Sequence, residues 1–218
     1  MIYYEVRQAF STLKGAITGL SEGVKAIYIA NMVMPIPGGD MDGAGLEDWV
    51  ENARMIVDSA RAVVPPDGNL ERIRAERFNP PGFNPEILSQ MAEMGFLMMR
   101  VEEDHGGLGL GMRELCALSE VLGQGLVPEP VLSSITACAL LQEAIPEEVM
   151  LGQAVIVTAW QDRSNALDWH GSTRKVHVPG ASGADLFAVV HGDGVSLIGA
   201  QAQGVRLTPH GMQDGTEV

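Results

Sequence analysis

Cysteines, basic residues and long apolar runs are all scarce in this chain of 218 residues. The two cysteines, Cys116 and Cys138, cannot staple a small scaffold and read as two buried thiols in a reducing compartment. Fourteen bases face 28 acids, a formal net charge of -14. Nucleic acid is therefore not an expected partner, because phosphate contacts need a basic face. No apolar run reaches the length of a membrane span. The start, Met1-Ile2-Tyr3-Tyr4-Glu5, lacks the basic region and apolar stretch of a secretory signal, so the chain reads as cytoplasmic. The histidines at 105, 170, 177, 191 and 210 show no metal-ligand spacing with the cysteines. There is no Gly-x-Ser-x-Gly elbow and no P-loop.

What is present is a core-forming composition. Hydrophobic residues make up 46% and charged residues 19%, which suits one large domain or two small ones. The acidity is concentrated: residues 46–152 hold eighteen acids against seven bases, and no lysine occurs between Lys25 and Lys175. Such a block reads first as a solubilising surface.

Along the chain the apolar period changes. Val6, Phe10, Leu13, Ile17, Leu20, Val24 and Ile27 are spaced alternately by four and three residues, one stripe of a helix. It packs either on the protein's own body or on a partner helix. Residues 38–45 read as a glycine-rich linker. Leu46, Trp49, Ala53, Ile56, Ala60 and Val63 predict a helix stopped by Pro65 and Pro66, with a short helix near Arg72. Asn84-Pro85 is a helix start, and the helix shows Ile87, Leu88, Met91 and Met94 before Gly95 closes it. Further helices are predicted from Met112 to Gly125 and from Val131 to Ala144. After Gly152 come short β-like runs at 155–157, 176–178, 187–190, 195–198 and 205–207, with His191-Gly192-Asp193-Gly194 placed as a hairpin turn. The expected fold class is α+β: an all-α region followed by a short antiparallel β-rich domain, an incomplete barrel. The expected divisions are 1–45, 46–152 and 153–218. Open strand edges and the N-terminal stripe predict an oligomer.

Three patterns could carry chemistry. Asp40, Asp42, Gly45 and Glu51 fall at positions 1, 3, 6 and 12 of a calcium loop, but Ala44 occupies position 5, and an acidic linker entering a helix explains the same letters. Gly106, Gly107, Gly109 and Gly111 follow Glu102, Glu103 and Asp104, whose charge would repel phosphate, so a tight interhelical turn is expected. Met91, Met94, Met98 and Met99 could line an acyl pocket, though core packing is the plainer role.

A resemblance sharpens this picture. Residues 88–97 (LSQMAEMGFL) and 101–110 (VEEDHGGLGL) resemble the acyl-CoA dehydrogenase family, which commonly reads LAELGLLG and VPEEYGGLGL there. Residues 114–123 (ELCALSEVLG) and 128–132 (PEPVL) resemble its next helix and turn. Residues 175–181 (KVHVPGA) with 184–187 (ADLF) resemble its flavin strand; 203–208 (QGVRLT) and 214–216 (DGT) resemble later segments. The resemblance implies a helical domain, a central β domain and a C-terminal helical bundle, with FAD and an acyl-CoA substrate oxidised at Cα–Cβ. It implies Thr158, His177 and Val178 as the residues nearest the flavin, Val178 through its backbone. His177 stands where the family has an aromatic and Pro179 where it has threonine; Thr158 lacks the usual Gly-Ser pair after it. Val218 falls within the expected β domain, so no catalytic residue is assigned. The base is expected from a missing C-terminal domain or from a partner chain carrying the bundle. The altered flavin positions also suit a non-catalytic interaction or regulatory subunit of the same fold.

Overall fold

The computed structural model describes residues 43–162, 174–192 and 194–211. The stripe from Val6 to Ile27, Asp40, Asp42 and residues 214–216 lie outside the described residues. The chain divides into two compact units, Met1–Glu47 and Asp48–Val218; the core and the sheet lie in the second.

Six α-helices are described: α1 (Gly43–Arg61), α2 (Leu70–Arg77), α3 (Pro85–Glu93), α4 (Met112–Gln124), α5 (Val131–Leu141) and α6 (Glu147–Met150). On α1, Ile56 and Ala60 are buried with Val64 just beyond, at successive intervals of four, so one face enters the core. Helix α3 starts as its sequence dictates. The Asn84 side chain accepts the Glu86 amide at 2.9 Å and Pro85 fills the first turn. Gly95, at φ 81°, then ends the run in a conformation that a side chain would strain. Met91 and Met99 are fully buried and Met98 nearly so, which makes them core residues, whereas Met94 is exposed past the end of α3. Core packing, the plainer of the two roles, thus holds for Met91, Met98 and Met99 and not for Met94. Each fully buried side chain of this size contributes about 1.5–3 kcal/mol.

Gly45 and Glu51 both lie within α1. This fits the plainer reading of an acidic stretch entering a helix, though the helix already begins at Gly43, inside the linker expected over 38–45. No group of three or more His, Cys, Asp or Glu able to hold a metal occurs among the described residues.

The sheet comprises β1 (Ile156–Ala159), β2 (Leu186–His191) and β3 (Gly194–Gly199), in that order, and does not close into a barrel. The α+β class holds. The hairpin holds too: β2 and β3 are antiparallel, with His191 paired to Gly194. The all-antiparallel expectation does not, because β1 pairs with β2 in parallel, Ile156 opposite Leu186. Residues 160–185 supply the long crossover that parallel pairing needs. The runs at 176–178 and 205–207 form no ladder. His177 sits at φ 52°, outside the extended region a strand requires.

One hydrophobic core runs from Ile56 and Val64 through Met91, Leu97, Leu118 and Ile135 to Ile156, Val157 and Phe187. Helix α5 lies at its centre, against β1, β2 and the turn Phe96–Met98. No described helix is long and apolar enough to cross a membrane.

Candidate functional site

The two turns flanking α4 are built from different materials. Before it, the glycine-rich loop folds back on its own backbone. The Gly107 amide donates to the Glu102 carbonyl, Leu108 to Met98, Gly109 to Val101 and Leu110 to Met99, all at 2.8–3.1 Å. These amides are committed internally, so the loop offers no nest for a phosphate. A methyl group on Gly107 would lie 2.1 Å from the Val101 carbonyl oxygen, which explains the glycine. The loop is the tight interhelical turn that its sequence predicts.

After α4 the chain opens a cleft of about 320 Å³ between the end of α4, the connecting turn and the first turn of α5. Its lining is mainly apolar: Leu122, Leu126, Val127, Pro130, Val131 and Leu132. Leu126 and Leu132, 52% and 46% exposed, are apolar surface that this unit leaves wet. Leu126 adopts φ 50°, a left-handed conformation costing roughly 1–2 kcal/mol for a residue with a Cβ.

The cleft also holds one buried charge. The Glu129 side chain is 0% exposed and accepts both ends of a fork from Arg72, at 2.7 and 3.4 Å, plus the Asn84 amide at 3.1 Å. A carboxylate out of water requires such a partner set.

Thr158 meets this cleft through α5. Its amide donates to the Ser133 hydroxyl at 2.9 Å and its own hydroxyl donates to the Ser133 carbonyl at 2.9 Å. Next to it, the Ser134 hydroxyl lies 2.6 Å from the Ile156 carbonyl. Two serines in a mainly apolar helix thus satisfy the outer edge of β1. Open-edge expectations consequently do not apply to β1 at these two positions.

His177 and Val178 are positioned by other contacts. The Val176 amide donates to the Gln161 carbonyl at 2.8 Å, just past β1. On the other side Gly180 abuts Pro130 and Val157 so closely that a methyl group there would lie 2.8 Å from the Pro130 ring. His177 and Val178, both half-buried, are held between these two points. Lys175, beside them, is ion-paired to the buried Asp162. The Val178 amide makes no hydrogen bond among the described residues. A half-buried unpaired amide is a fit for a ligand acceptor such as a flavin carbonyl; Pro179 can supply no second one. The Thr158 oxygen keeps acceptor capacity after donating to Ser133.

Of the three residues that the sequence singles out, Thr158 is thus tied to Ser133, while His177 and Val178 lie between residues fixed to Gln161 and packed on Pro130. Arg72, Glu129, Ser133 and Ser134 are the ones it does not single out. Their signals are a glutamate between two prolines and a serine pair inside an apolar helix. Of the two thiols, Cys138 is buried and inert, its pKa pushed up to about 12 by loss of solvent, while Cys116 is exposed, which corrects the expectation of two buried thiols.

Comparison with known proteins bears on this geometry. Residues 50–148 match the family model described as "Acyl-CoA dehydrogenase, N-terminal domain". No curated protein matches the chain. Among solved structures, a "Tcur3481-Tcur3483 steroid ACAD G363A variant" is similar at 22% identity and TM-score 0.65, over 78% of this chain and 54% of that one. The "ChsE4-ChsE5 complex from Mycobacterium tuberculosis" is similar at 20% identity and TM-score 0.58, over 77% and 52%. The chain thus spans about half the length of the solved chains it matches. Over residues 50–148 this chain therefore matches the N-terminal domain of the acyl-CoA dehydrogenase family, and its fold is similar to that of solved acyl-CoA dehydrogenase chains.

Proposed function

We propose that the chain is one subunit of an FAD-dependent acyl-CoA dehydrogenase, working with a partner chain or a second copy that supplies the C-terminal bundle. The divisions 1–45, 46–152 and 153–218 would then be an N-terminal extension, the helical domain and part of the β domain. One observation carries the reading: an apolar cleft with wet leucines on its rim is tied by Ser133 to Thr158, the residue that the family resemblance sets beside the flavin. The cleft suits an acyl chain, since its walls are aliphatic and its one carboxylate is already neutralised by Arg72.

FAD, when bound, would accept the β-hydride of the thioester, while a carboxylate from the partner takes the α-proton. This chain's own part is to orient. The Val178 amide and the Thr158 oxygen would hold flavin acceptor and donor groups, and His177 would stand against the ring. Two solved relatives carry two-component names, and one is called a "steroid ACAD", which supports a partner chain and makes bulky ring-bearing thioesters the first substrates to try.

A second reading, a non-catalytic subunit of the same fold, is favoured by His177, Pro179 and the internal engagement of the Thr158 hydroxyl. Absorbance separates the two. Protein purified with its co-expressed partner and showing a flavin band at about 450 nm, reduced by an added thioester, supports the first. A complex that stays colourless with added FAD, with the Thr158→Ala and wild-type forms indistinguishable, overturns it in favour of the second.

A further inference from the structure

The outer wall of the cleft is backed by residues 64–72, which leave the core after Val64. Helix α2 buries none of its residues. It is also strongly polar, so its own side chains supply little packing. Three contacts tie residues 64–72 along residues 125–129. Gly125 is so close to Val64 that a methyl group there would lie 2.0 Å from Val64 Cγ1. Gly68, at φ 66°, passes beside the Gly125 carbonyl and the Leu126 side chain. Arg72 then grips Glu129 with both guanidinium nitrogens. Between the first and last of these lies Leu126, whose left-handed backbone the surroundings must enforce. Glu129 is itself part of the cleft lining, and its third bond, from the Asn84 amide, fixes the start of α3.

From this arrangement we infer that Arg72 is a positioning residue that sets the width of the apolar cleft, and with it which acyl groups enter. It acts through Glu129 and touches no substrate. This rests on the reading of the cleft as an acyl site. The physical reason is geometric. The α4–α5 turn carries Leu126, Val127 and Pro130 on one wall, and no buried apolar side chain of α2 backs it. A planar fork holds a carboxylate in one orientation, which a point charge or an apolar chain does not.

The test uses the full chain with two defined ligands, octanoyl-CoA and the ring-bearing cholyl-CoA, titrated calorimetrically, alongside amide hydrogen exchange. Arg72→Met should speed exchange at 125–131 and leave β1 unchanged. It should weaken octanoyl-CoA about tenfold while changing cholyl-CoA less than threefold, because a loosened wall still accepts the larger group. Arg72→Lys should recover the wild-type ratio only in part. In the complex, the same variant should raise KM for the short thioester and leave kcat within twofold. If Arg72→Met fails to fold, Glu129→Gln, which keeps shape but loses charge, carries the same comparison. An unchanged ratio of the two affinities overturns the inference even where both ligands bind. Wild-type protein that binds neither thioester removes the acyl-site reading itself, and the inference with it; the two failures are told apart by whether wild type binds.

Discussion

The turns before and after α4 share a helix and little else. Before it, the amides of residues 105–110 donate to carbonyls of residues 98–103 and glycine is needed at a crowded point, so the glycine-rich stretch has no free amides to offer a ligand. Beyond it, residues 125–130 stay open, hold a strained leucine and depend on a side chain 57 positions earlier in the chain. A glycine-rich stretch announces itself in sequence yet is spent on its own backbone; a plain turn between prolines frames an apolar cleft. The candidate site, in this molecule, goes with exposed apolar surface and a buried charge rather than with the more conspicuous composition.

The contrast can be broken most severely at the closed loop. Gly107→Ala should cost about 4 kcal/mol, at the harsh end for overpacking, because the added methyl meets backbone rather than a movable side chain. Urea denaturation would read it, and a loss below about 1 kcal/mol would mean that the loop is looser than described. At the open turn, Glu129→Ala should cost about 3 kcal/mol by stranding Arg72 and the Asn84 amide. The same measurement tests it; a neutral outcome would make the ion pair incidental.

Helix α5, which the open turn launches, gives a pH signature. Cys138 stays protonated in the folded protein to about pH 12, whereas the unfolded thiol ionises near 9. Above pH 9 the unfolded state binds fewer protons, so stability falls as pH rises, by up to about 1.4 kcal/mol per unit. Cys138→Ala should flatten that slope between about pH 9 and 10.5, and an unaltered slope would assign it to other groups. The smallest effect is a gain. Leu126→Gly relieves the left-handed strain, offset in part by losing the buried half of the side chain, for a net stabilisation of about 0.5 kcal/mol. Raised thermal stability together with weaker thioester binding would match a rim leucine kept for contact rather than for folding.

Much of the helical framework is legible in the sequence. Intervals of three and four place Ile56, Ala60, Leu118 and Val121 inward, and Asn84-Pro85 and Gly95 mark both ends of α3. The parallel pairing of β1 is not, since short apolar runs carry period but no direction, and the partner strand lies beyond a long crossover. The run around His177 looks extended because valines flank it, yet its backbone turns left-handed where Val176 and Gly180 are pinned to different neighbours. Thr158 is placed by its resemblance to a family position. Arg72 and Glu129 escape a reading of the sequence because a lone ion pair between distant positions leaves no periodicity to read.

The reciprocal engagement of Ser133 and Thr158 makes helix and strand behave as a keyed shaft. One residue's donor and acceptor must both meet the other's, so sliding α5 by a single position unlocks both contacts together. A guest molecule leaning on the first turn of α5 cannot be accommodated by quiet local yielding. Its push is delivered to the sheet, where the Thr158 amide would register the visit as a change in its solvent exchange.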